Sequence, residues 1–374
     1  MWPAASTESW ATPIDSTLAK QRDELILLTT AMNVQHNDNS PVMIVGHGSS
    51  GTSILTRLMR DYLGVAFGTE SQFVVHYYRR LPRYGDLADD ANLRRLIGDV
   101  LGERWFRRSR KFGGFATTID AVFQDVRERT YRGVLDAAFG QLAKHLGTTR
   151  WGDKTPEYTH DLPVIGELFP EAKYVHMVRD GRDVALSVMG RYWGPKNVFT
   201  AAGEWKEAVG QVDAFLDTVP AEQKLEISYE GMLSDPVATF RQLVGFLEIE
   251  NSGDVLIQSI AEPLSADLMR TNYDKWRTRM SPAARTRFER IAAGTLARHG
   301  YETIVEEQPG EPAALKRLYW WADNKIRKWT YAGYWQDNLY KAGLRSRDLL
   351  RAARSLASSA LRRRAALGAP KSAK

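Results

Sequence analysis

The chain has 374 residues, of which 43% are hydrophobic and 26% are charged, and it contains no cysteine. This is the composition of a globular protein with a large core, and the missing cysteines exclude disulfides, thiolate catalysis and cysteine-ligated metals. No apolar run approaches the roughly 18 residues that a membrane-spanning helix needs, and residues 1–15 lack the features of a secretory signal. We therefore expect a cytoplasmic protein.

The net charge of +6 is unevenly distributed along the chain. Residues 315–374 carry 15 Lys and Arg against 3 Asp, whereas the rest of the chain carries 36 basic and 42 acidic residues. The basic character therefore belongs to the C-terminal tail, and an asymmetry of this kind is typical of an interaction segment.

The first informative stretch is residues 42–60, which predict a buried strand, a glycine-rich turn and a helix. The strand is the apolar run 42–45, the turn is 46–51, and the helix begins near Thr52. A strand, a glycine loop and a helix N-terminus form an anion site, because the loop N–H groups converge and the helix dipole adds positive potential.

The spacing Gly46-x4-Gly51-Thr52-Ser53 matches a nucleotide P-loop, with Thr52 where a Lys is expected. That Lys normally reaches the β- and γ-phosphates, so its absence favours a nucleotide without a γ-phosphate. The alternative is a tight strand-to-helix turn in another kind of α/β domain.

Further strand–loop–helix units follow along the chain. Residues 65–67 predict a second strand, after which Glu70 would lie beside the phosphate loop, since ligands of open α/β sheets bind at the carboxyl ends of strands. Residues 71–149 are interpreted as a helical insertion that covers the site. Residues 151–156 are interpreted as a compact loop that contains Lys154.

Residues 173–178 predict another strand, which ends at Arg179, and a helix over 184–192 that carries Ser187. Arg can bind a phosphate with two hydrogen bonds and Ser can donate a third, so this pair suits a second phosphate. A surface Arg–Asp network is the alternative. Residues 225–230 predict a further strand, which contains Tyr229, and residues 251–282 look irregular.

These units predict an α/β fold, a P-loop-type parallel sheet flanked by helices, with a helical insertion and a basic helical C-terminal extension. The domains expected are an N-terminal arm and helix over 1–37, a main domain over 38–307 that includes the insertion, and the extension over 308–374.

In combination and in order, these motifs resemble the sulfotransferases that use 3′-phosphoadenosine 5′-phosphosulfate (PAPS), over roughly residues 38–303. The pattern is most similar to the branch that includes bacterial and tyrosylprotein sulfotransferases. The resemblance implies a sulfuryl transfer from PAPS to an acceptor hydroxyl of a glycan, lipid, small molecule or peptide, with adenosine 3′,5′-bisphosphate as product.

The resemblance also implies roles for particular residues. Arg179 and Ser187 would hold the 3′-phosphate, Tyr229 would lie near the nucleotide, Glu70 would be catalytic, and Lys154 would face the sulfuryl group. The 5′-phosphosulfate would bind the loop that contains Gly48, Ser49, Ser50, Gly51, Thr52 and Ser53.

The chemistry suits these residue types. An in-line displacement by a hydroxyl needs a base, for which Glu70 is the candidate and His47 and His76 are the rivals. It also needs a cation where charge develops on the bridging oxygen, for which Lys154 is the candidate. No metal is required in this scheme.

One position departs from the family pattern, because Ser49 stands where the family usually has Arg or Lys. Either another cation substitutes for it, such as Lys154 or a residue of the basic run 275–279, or turnover is weakened. A catalytically inactive nucleotide-binding or membrane-recruitment relative therefore stays open, as does a degenerate P-loop kinase, which the missing Lys disfavours.

In the tail, aromatic residues from Tyr319 to Tyr340 alternate with Lys and Arg. This pattern is typical of the interface of an anionic membrane, and also of nucleic acid, which we favour less. The third possibility is that the aromatic residues pack on the body of the protein.

Overall fold

The computed structural model describes residues 35–36, 38–250, 253–268, 271–305 and 314–329. The chain divides into two compact units. The first unit consists of Met1–Leu186 and Ala202–Glu307, and the second consists of Ser187–Ala201 and Gln308–Lys374. The predicted N-terminal helix before residue 35 and the tail after residue 329 lie outside the described residues.

The first unit is built on a parallel sheet, which confirms the predicted fold class. The sheet has five strands in the order β3-β4-β2-β5-β6, and every neighbouring pair is parallel. A separate antiparallel pair joins β1 to β7. The strands are β1 (Gln35–His36), β2 (Val42–Val45), β3 (Val65–Phe67), β4 (Arg150–Asp153), β5 (Lys173–Val178), β6 (Lys224–Ser228) and β7 (Ile249–Glu250).

The helices occupy most of the remaining described chain. They are α1 (Thr52–Leu63), α2 (Val74–Tyr78), α3 (Asp90–Leu101), α4 (Arg104–Gly113), α5 (Ile119–Asp125), α6 (Tyr131–His145), α7 (Leu162–Leu168), α8 (Gly181–Met189), α9 (Val198–Leu216), α10 (Tyr229–Ser234), α11 (Pro236–Phe246), α12 (Gly253–Asp267), α13 (Trp276–Arg279), α14 (Pro282–Arg298) and α15 (Ala314–Trp329). The predicted helical insertion, residues 71–149, corresponds to α2–α6.

Both faces of the sheet are covered by apolar side chains. Residues alternate between faces along each strand, so Met43 and Val45 pack with the helical insertion, whereas Val42 and Ile44 pack with α1, α11 and α12. Because both faces are buried, the strands read as nearly continuous apolar runs, which is why β2 and β5 are easy to recognise in the sequence.

Two segments differ from the sequence-based interpretation. The loop proposed at 151–156 begins with β4, a strand between β3 and β2. Its sequence, Arg-Trp-Gly-Asp, does not look like a buried strand because it is charged at both ends. Arg150 is nevertheless fully buried, since its guanidinium donates to the carbonyl oxygens of Ser40 and Leu247 at 2.7 and 2.8 Å.

The second difference is α12, which occupies a stretch that was interpreted as irregular. Leu256, Ile257, Ile260 and Leu264 are buried in the core against α11. Their spacing of one, three and four residues is helical. Tyr229 also differs slightly from its expected place, because β6 ends at Ser228 and Tyr229 is the first residue of α10.

In the second unit, α15 packs against residues 187–201. The Trp320 ring stacks on the Phe199 ring at 6.2 Å, and the buried Asn324 side chain accepts a hydrogen bond from the Lys196 backbone N–H at 2.7 Å. Within the described residues, no helix has the length and apolar character needed to cross a bilayer.

Candidate active site

The candidate site is formed where the five parallel strands end. Within three residues of its end, each strand is followed by a residue or loop that was predicted to belong to the site. Because the strands are parallel, all of these residues lie along one edge of the sheet. In spatial order these are Glu70 after β3, Lys154 after β4, the loop 46–51 after β2, Arg179 after β5 and Tyr229 after β6. The carboxyl ends of parallel strands are where open α/β sheets bind ligands.

The loop between β2 and α1 has a backbone that only glycine accommodates well. Gly46 has φ of 145°, and a Cβ atom there would lie 2.5 Å from the Met177 carbonyl oxygen. Gly51 has φ of 97°, and a Cβ atom there would lie 2.3 Å from the Tyr229 ring. Gly51 caps α1 without a side-chain hydrogen bond, and the first turn has no acidic residue. The N–H groups of this helix start are therefore oriented to receive an anion.

Lys154 joins the two sides of the site that would face the sulfuryl group. Its Nζ donates to Glu70 Oε1 at 2.6 Å and to Ser53 Oγ at 3.2 Å. The Lys154 side chain is 11% exposed and that of Glu70 is 37% exposed. The ammonium group thus lies within hydrogen-bond distance of both the carboxylate and the hydroxyl at the helix start.

A buried polar network fixes the chain on both sides of this ion pair. Ser71 Oγ donates to Asp153 Oδ2 at 2.9 Å and lies 2.8 Å from the Tyr158 hydroxyl, while Thr155 Oγ1 accepts from the Ser71 N–H at 2.9 Å. Ser71 follows Glu70, and Asp153 and Thr155 flank Lys154. Burial raises the pKa of Asp153 to about 6, although hydrogen bonds from Ser71 and Thr155 oppose that shift.

On the other side of the loop, Arg179 is almost completely buried. Its guanidinium donates to the carbonyl oxygens of Ser49 and Asn272 at 3.1 and 3.0 Å, and it lies 4.4 Å from the centre of the Tyr229 ring. Asn272 also donates to the Tyr229 hydroxyl at 2.7 Å. Arg179 Nε has no hydrogen-bond partner among the described residues. A buried donor without a partner is costly, so an anion at this point would be stabilised.

The two rival bases have different surroundings. His47 Nδ1 lies 2.6 Å from the Gly48 carbonyl oxygen, and burial lowers the pKa of His47. His76, in α2, contacts the Arg80 guanidinium. Glu70 differs from both histidines in that it contacts Lys154, which in turn contacts Ser53.

Residues 41–253 match the sequence profile of the sulfotransferase family. This match covers more than half of the chain. The chain belongs to the sulfotransferase family. Membership implies PAPS as the sulfuryl donor, and it leaves the acceptor and the catalytic base undetermined.

One relative is similar to a part of this chain. Protein-tyrosine sulfotransferase A of Caenorhabditis elegans is 27% identical over 117 residues, which is 28% of this chain. The chain thus matches only 31% of that protein's length.

Among solved structures, the sulfotransferase domain from the curacin biosynthetic pathway is 18% identical with a TM-score of 0.44, and covers 71% of this chain and 99% of that one. The sulfotransferase domain of the Synechococcus PCC 7002 olefin synthase is 20% identical with a TM-score of 0.44, over 70% and 96% of the two chains.

The site residues that were predicted from the sequence lie in both structural units of the chain. The loop residues, Glu70, Lys154, Arg179 and Tyr229 belong to the first unit, whereas Ser187, a half-buried residue of α8, belongs to the second. The sequence analysis missed Asn272, which contacts both Arg179 and Tyr229, and Ser71, which links Asp153 to Tyr158. Neither belongs to a recognisable motif, because each acts through residues distant in sequence.

Proposed function

We propose that this protein transfers a sulfuryl group from PAPS to an acceptor hydroxyl, with Glu70 as general base. The observation that carries the proposal is the contact of Lys154 with both Glu70 and Ser53, at 2.6 and 3.2 Å. It brings a base, a cation and a phosphosulfate loop to one point of the site.

The residues suit an in-line displacement at sulfur. The acceptor oxygen attacks sulfur while its proton passes to the Glu70 carboxylate. The bond from sulfur to the bridging oxygen breaks, and adenosine 3′,5′-bisphosphate leaves with the negative charge. Lys154 and the N–H groups at the start of α1 stabilise the charge that develops on the bridging oxygen.

The nucleotide would occupy the other side of the loop. Arg179, with its unpartnered Nε and a cation–π contact to Tyr229, binds the 3′-phosphate. The family resemblance assigns Ser187 to the same phosphate. Gly48, Ser49, Ser50, Gly51, Thr52 and Ser53 bind the 5′-phosphosulfate.

Lys154 also accounts for the difference from the family pattern at Ser49. The carbonyl of Ser49 accepts from Arg179, and the residue has φ of 70°, so its role is in the backbone of the loop. The cation that the family usually has at this position is supplied instead by Lys154, whose ammonium group contacts Ser53 from the neighbouring strand.

The acceptor would enter beside the helical insertion, within a main domain of 38–307. Trp105 in α4 donates from Nε1 to the Thr69 carbonyl oxygen at 2.7 Å, so the insertion contacts the loop that carries Glu70. This contact supports a role for residues 71–149 in selecting the acceptor.

Nucleotide binding is the first test. Adenosine 3′,5′-bisphosphate should raise the melting temperature of the wild-type protein, and Arg179→Ala should abolish the rise. Arg241→Ala, which removes an exposed arginine of α11, is the matched control and should keep it. No shift in the wild type would refute the proposal, as would Mg²⁺-dependent ATP binding in its place, which the kinase alternative predicts.

Transfer from labelled PAPS to fractions of a cell lysate tests catalysis. Label in a product separates an active enzyme from the inactive relative that Ser49 left open. Lys154→Met should abolish labelling, because it removes the cation that offsets the charge on the leaving oxygen.

We further propose that α15 binds an anionic membrane surface, as part of a peripheral association of a cytoplasmic protein. Leu318, Tyr319, Trp321, Ile326 and Trp329 are each about 60% exposed. On a helical wheel they lie opposite Trp320 and Asn324, which pack within the second unit. The helix contains five Lys and Arg against one Asp. An apolar face bordered by cations is typical of helices that lie in a membrane interface.

Vesicle sedimentation tests this second proposal. The double substitution Trp321→Ser with Trp329→Ser should remove binding to vesicles that contain phosphatidylserine. Val255→Ser, which changes an equally exposed apolar residue of α12, should not. Equal sedimentation of the double variant and the wild type would contradict membrane binding by α15.

A further inference from the structure

Four titratable side chains meet on one face of the sheet in the first unit, in a cluster that the transfer chemistry does not use. They are His176 of β5, Glu226 of β6, Asp213 of α9, and His299, which follows α14. His176 and Glu226 are direct cross-strand partners. We call these four residues the histidine–carboxylate cluster.

The inner part of the cluster has three atoms that point towards one another. His176 Nδ1 lies 3.5 Å from Glu226 Oε2 and 3.9 Å from Asp213 Oδ1. One ligand atom from each of the three residues lies within 4.8 Å of the other two. In a tetrahedral zinc site, bonds of about 2.0–2.1 Å separate neighbouring ligand atoms by about 3.4 Å. The two separations from His176 Nδ1 are close to this value, so the three ligand atoms would move closer together to bind an ion.

The outer oxygen of each carboxylate is held by His299. Its Nε2 lies 3.2 Å from Asp213 Oδ2 and its Nδ1 lies 3.1 Å from Glu226 Oε1. Arg298 also donates to Asp213 Oδ2, at 3.3 Å. The inner oxygens are thus directed at His176, while the outer oxygens are oriented by hydrogen bonds, as outer-shell partners orient metal ligands.

His176 supplies an independent observation that points to a ligand. The residue is completely buried, and neither ring nitrogen has a hydrogen-bond partner among the described residues. A buried imidazole with both nitrogens unpaired is unfavourable, and most buried polar groups in proteins have a partner. Nδ1 faces the two carboxylates and makes only long contacts with them, at 3.5 and 3.9 Å.

We propose that His176, Asp213 and Glu226 bind a divalent transition-metal ion of the Zn²⁺ class, with His299 as the residue that orients both carboxylates. One imidazole nitrogen and two carboxylate oxygens form a ligand set that zinc accepts, and they leave a fourth position for water. The site is separate from the sulfuryl-transfer scheme, in which no metal takes part.

Access from solvent suits a cation at this point. The Glu226 side chain is 49% exposed, which leaves a route from solvent to the buried His176.

The site would tie three elements of the sheet layer together. Its ligands come from β5, β6 and α9, and His299 adds the end of α14. Because the ion binds only when these elements are assembled, binding should stabilise the folded protein. Arg179 follows His176 by three residues in the chain, so the ion would also stabilise the strand that leads into the nucleotide site.

The test uses the full chain, stripped with a chelator and titrated with Zn²⁺ in the absence of PAPS. Calorimetry should give one bound ion, and the melting temperature should rise with Zn²⁺ concentration. Glu226→Gln keeps the size of a half-exposed side chain, so the variant should fold, and its affinity for Zn²⁺ should fall by at least about tenfold. Glu222→Gln, an exposed carboxylate before β6, is the matched control and should bind as the wild type does.

Two further readouts make the result decisive. Co²⁺ should give the visible absorption of a four-coordinate ion in the wild type and not in His176→Asn. His299→Gln should weaken Zn²⁺ binding by roughly tenfold without abolishing it, because it removes an orienting partner rather than a ligand. Absence of Zn²⁺ stabilisation in the wild type would overturn the proposal, as would binding that is unchanged in both Glu226→Gln and Asp213→Asn. Since no nucleotide is present, none of these outcomes depends on sulfuryl transfer.

Discussion

The two halves of the candidate active site differ in how firmly their side chains are held. Around Arg179 and Tyr229 the groups are almost fully buried, with hydrogen bonds to Ser49 and Asn272. Around Glu70 and Lys154 the groups are more exposed and depend mainly on one ion pair. The first half suits a nucleotide that binds in one orientation, and the second half suits a reaction in which an acceptor must enter and leave.

The largest effect predicted from this difference concerns Glu70. Glu70→Gln should lower the rate of sulfuryl transfer by about 10²–10⁴-fold, because it removes the proposed proton acceptor, while adenosine 3′,5′-bisphosphate should still raise the melting temperature. Labelled transfer and thermal shift measure the two effects. Glu157→Gln, an exposed carboxylate close in sequence to Lys154, is the control. A variant that retained full activity would show that another group is the base.

In the half of the site around Arg179 and Tyr229, a substitution should impair nucleotide binding and stability. Gly51→Ala places a methyl group 2.3 Å from the Tyr229 ring, at a residue with φ of 97°. We expect a loss of about 2–4 kcal/mol in the free energy of unfolding, together with loss of nucleotide binding. Urea unfolding measures the first effect. Gly140→Ala, where a Cβ atom meets nothing within 4 Å, should not destabilise the protein.

The network beneath the ion pair gives a dependence on pH. Burial raises the pKa of Asp153 to about 6, above its ordinary value of 3.8. Its contribution to stability is therefore complete below about pH 4 and is lost as the pH rises to about 6. Relative to Asp153→Asn, the wild type should lose about 2–3 kcal/mol in the free energy of unfolding over that interval. Parallel curves for the two proteins would show that Asp153 is ionised throughout.

The smallest expected effect concerns the hydrogen bond between Asn272 and the Tyr229 hydroxyl. Asn272→Ala removes the hydrogen bond to the Tyr229 hydroxyl, at a cost of about 1 kcal/mol. The KM for PAPS should rise about fivefold, while kcat at saturating PAPS should stay unchanged, because no reacting atom is touched. A fall in kcat with an unchanged KM would mean that the nucleotide half and the sulfuryl half are not separable.

Much of the fold and the site could be predicted because their signals are local. The loop 46–51 has its glycines at fixed spacing, and Arg179 directly follows an apolar strand, so short stretches were sufficient to predict the strand–loop–helix units and the sulfotransferase resemblance. The strand β4 could not be recognised in this way. Its Arg150 is acceptable inside the protein only because the carbonyl oxygens of Ser40 and Leu247 are brought to it by the fold.

The α/β class, the family resemblance and the residues that follow most strands could be predicted from the sequence. Which of those residues meet depends on the strand order in the sheet, which differs from the order of the strands along the chain. Because β4 lies between β3 and β2, Lys154 contacts Glu70 and Ser53. For the same reason, the histidine–carboxylate cluster could not be recognised in the sequence. Residues 176, 213, 226 and 299 share no motif, and they become neighbours only when two strands and two helices pack together.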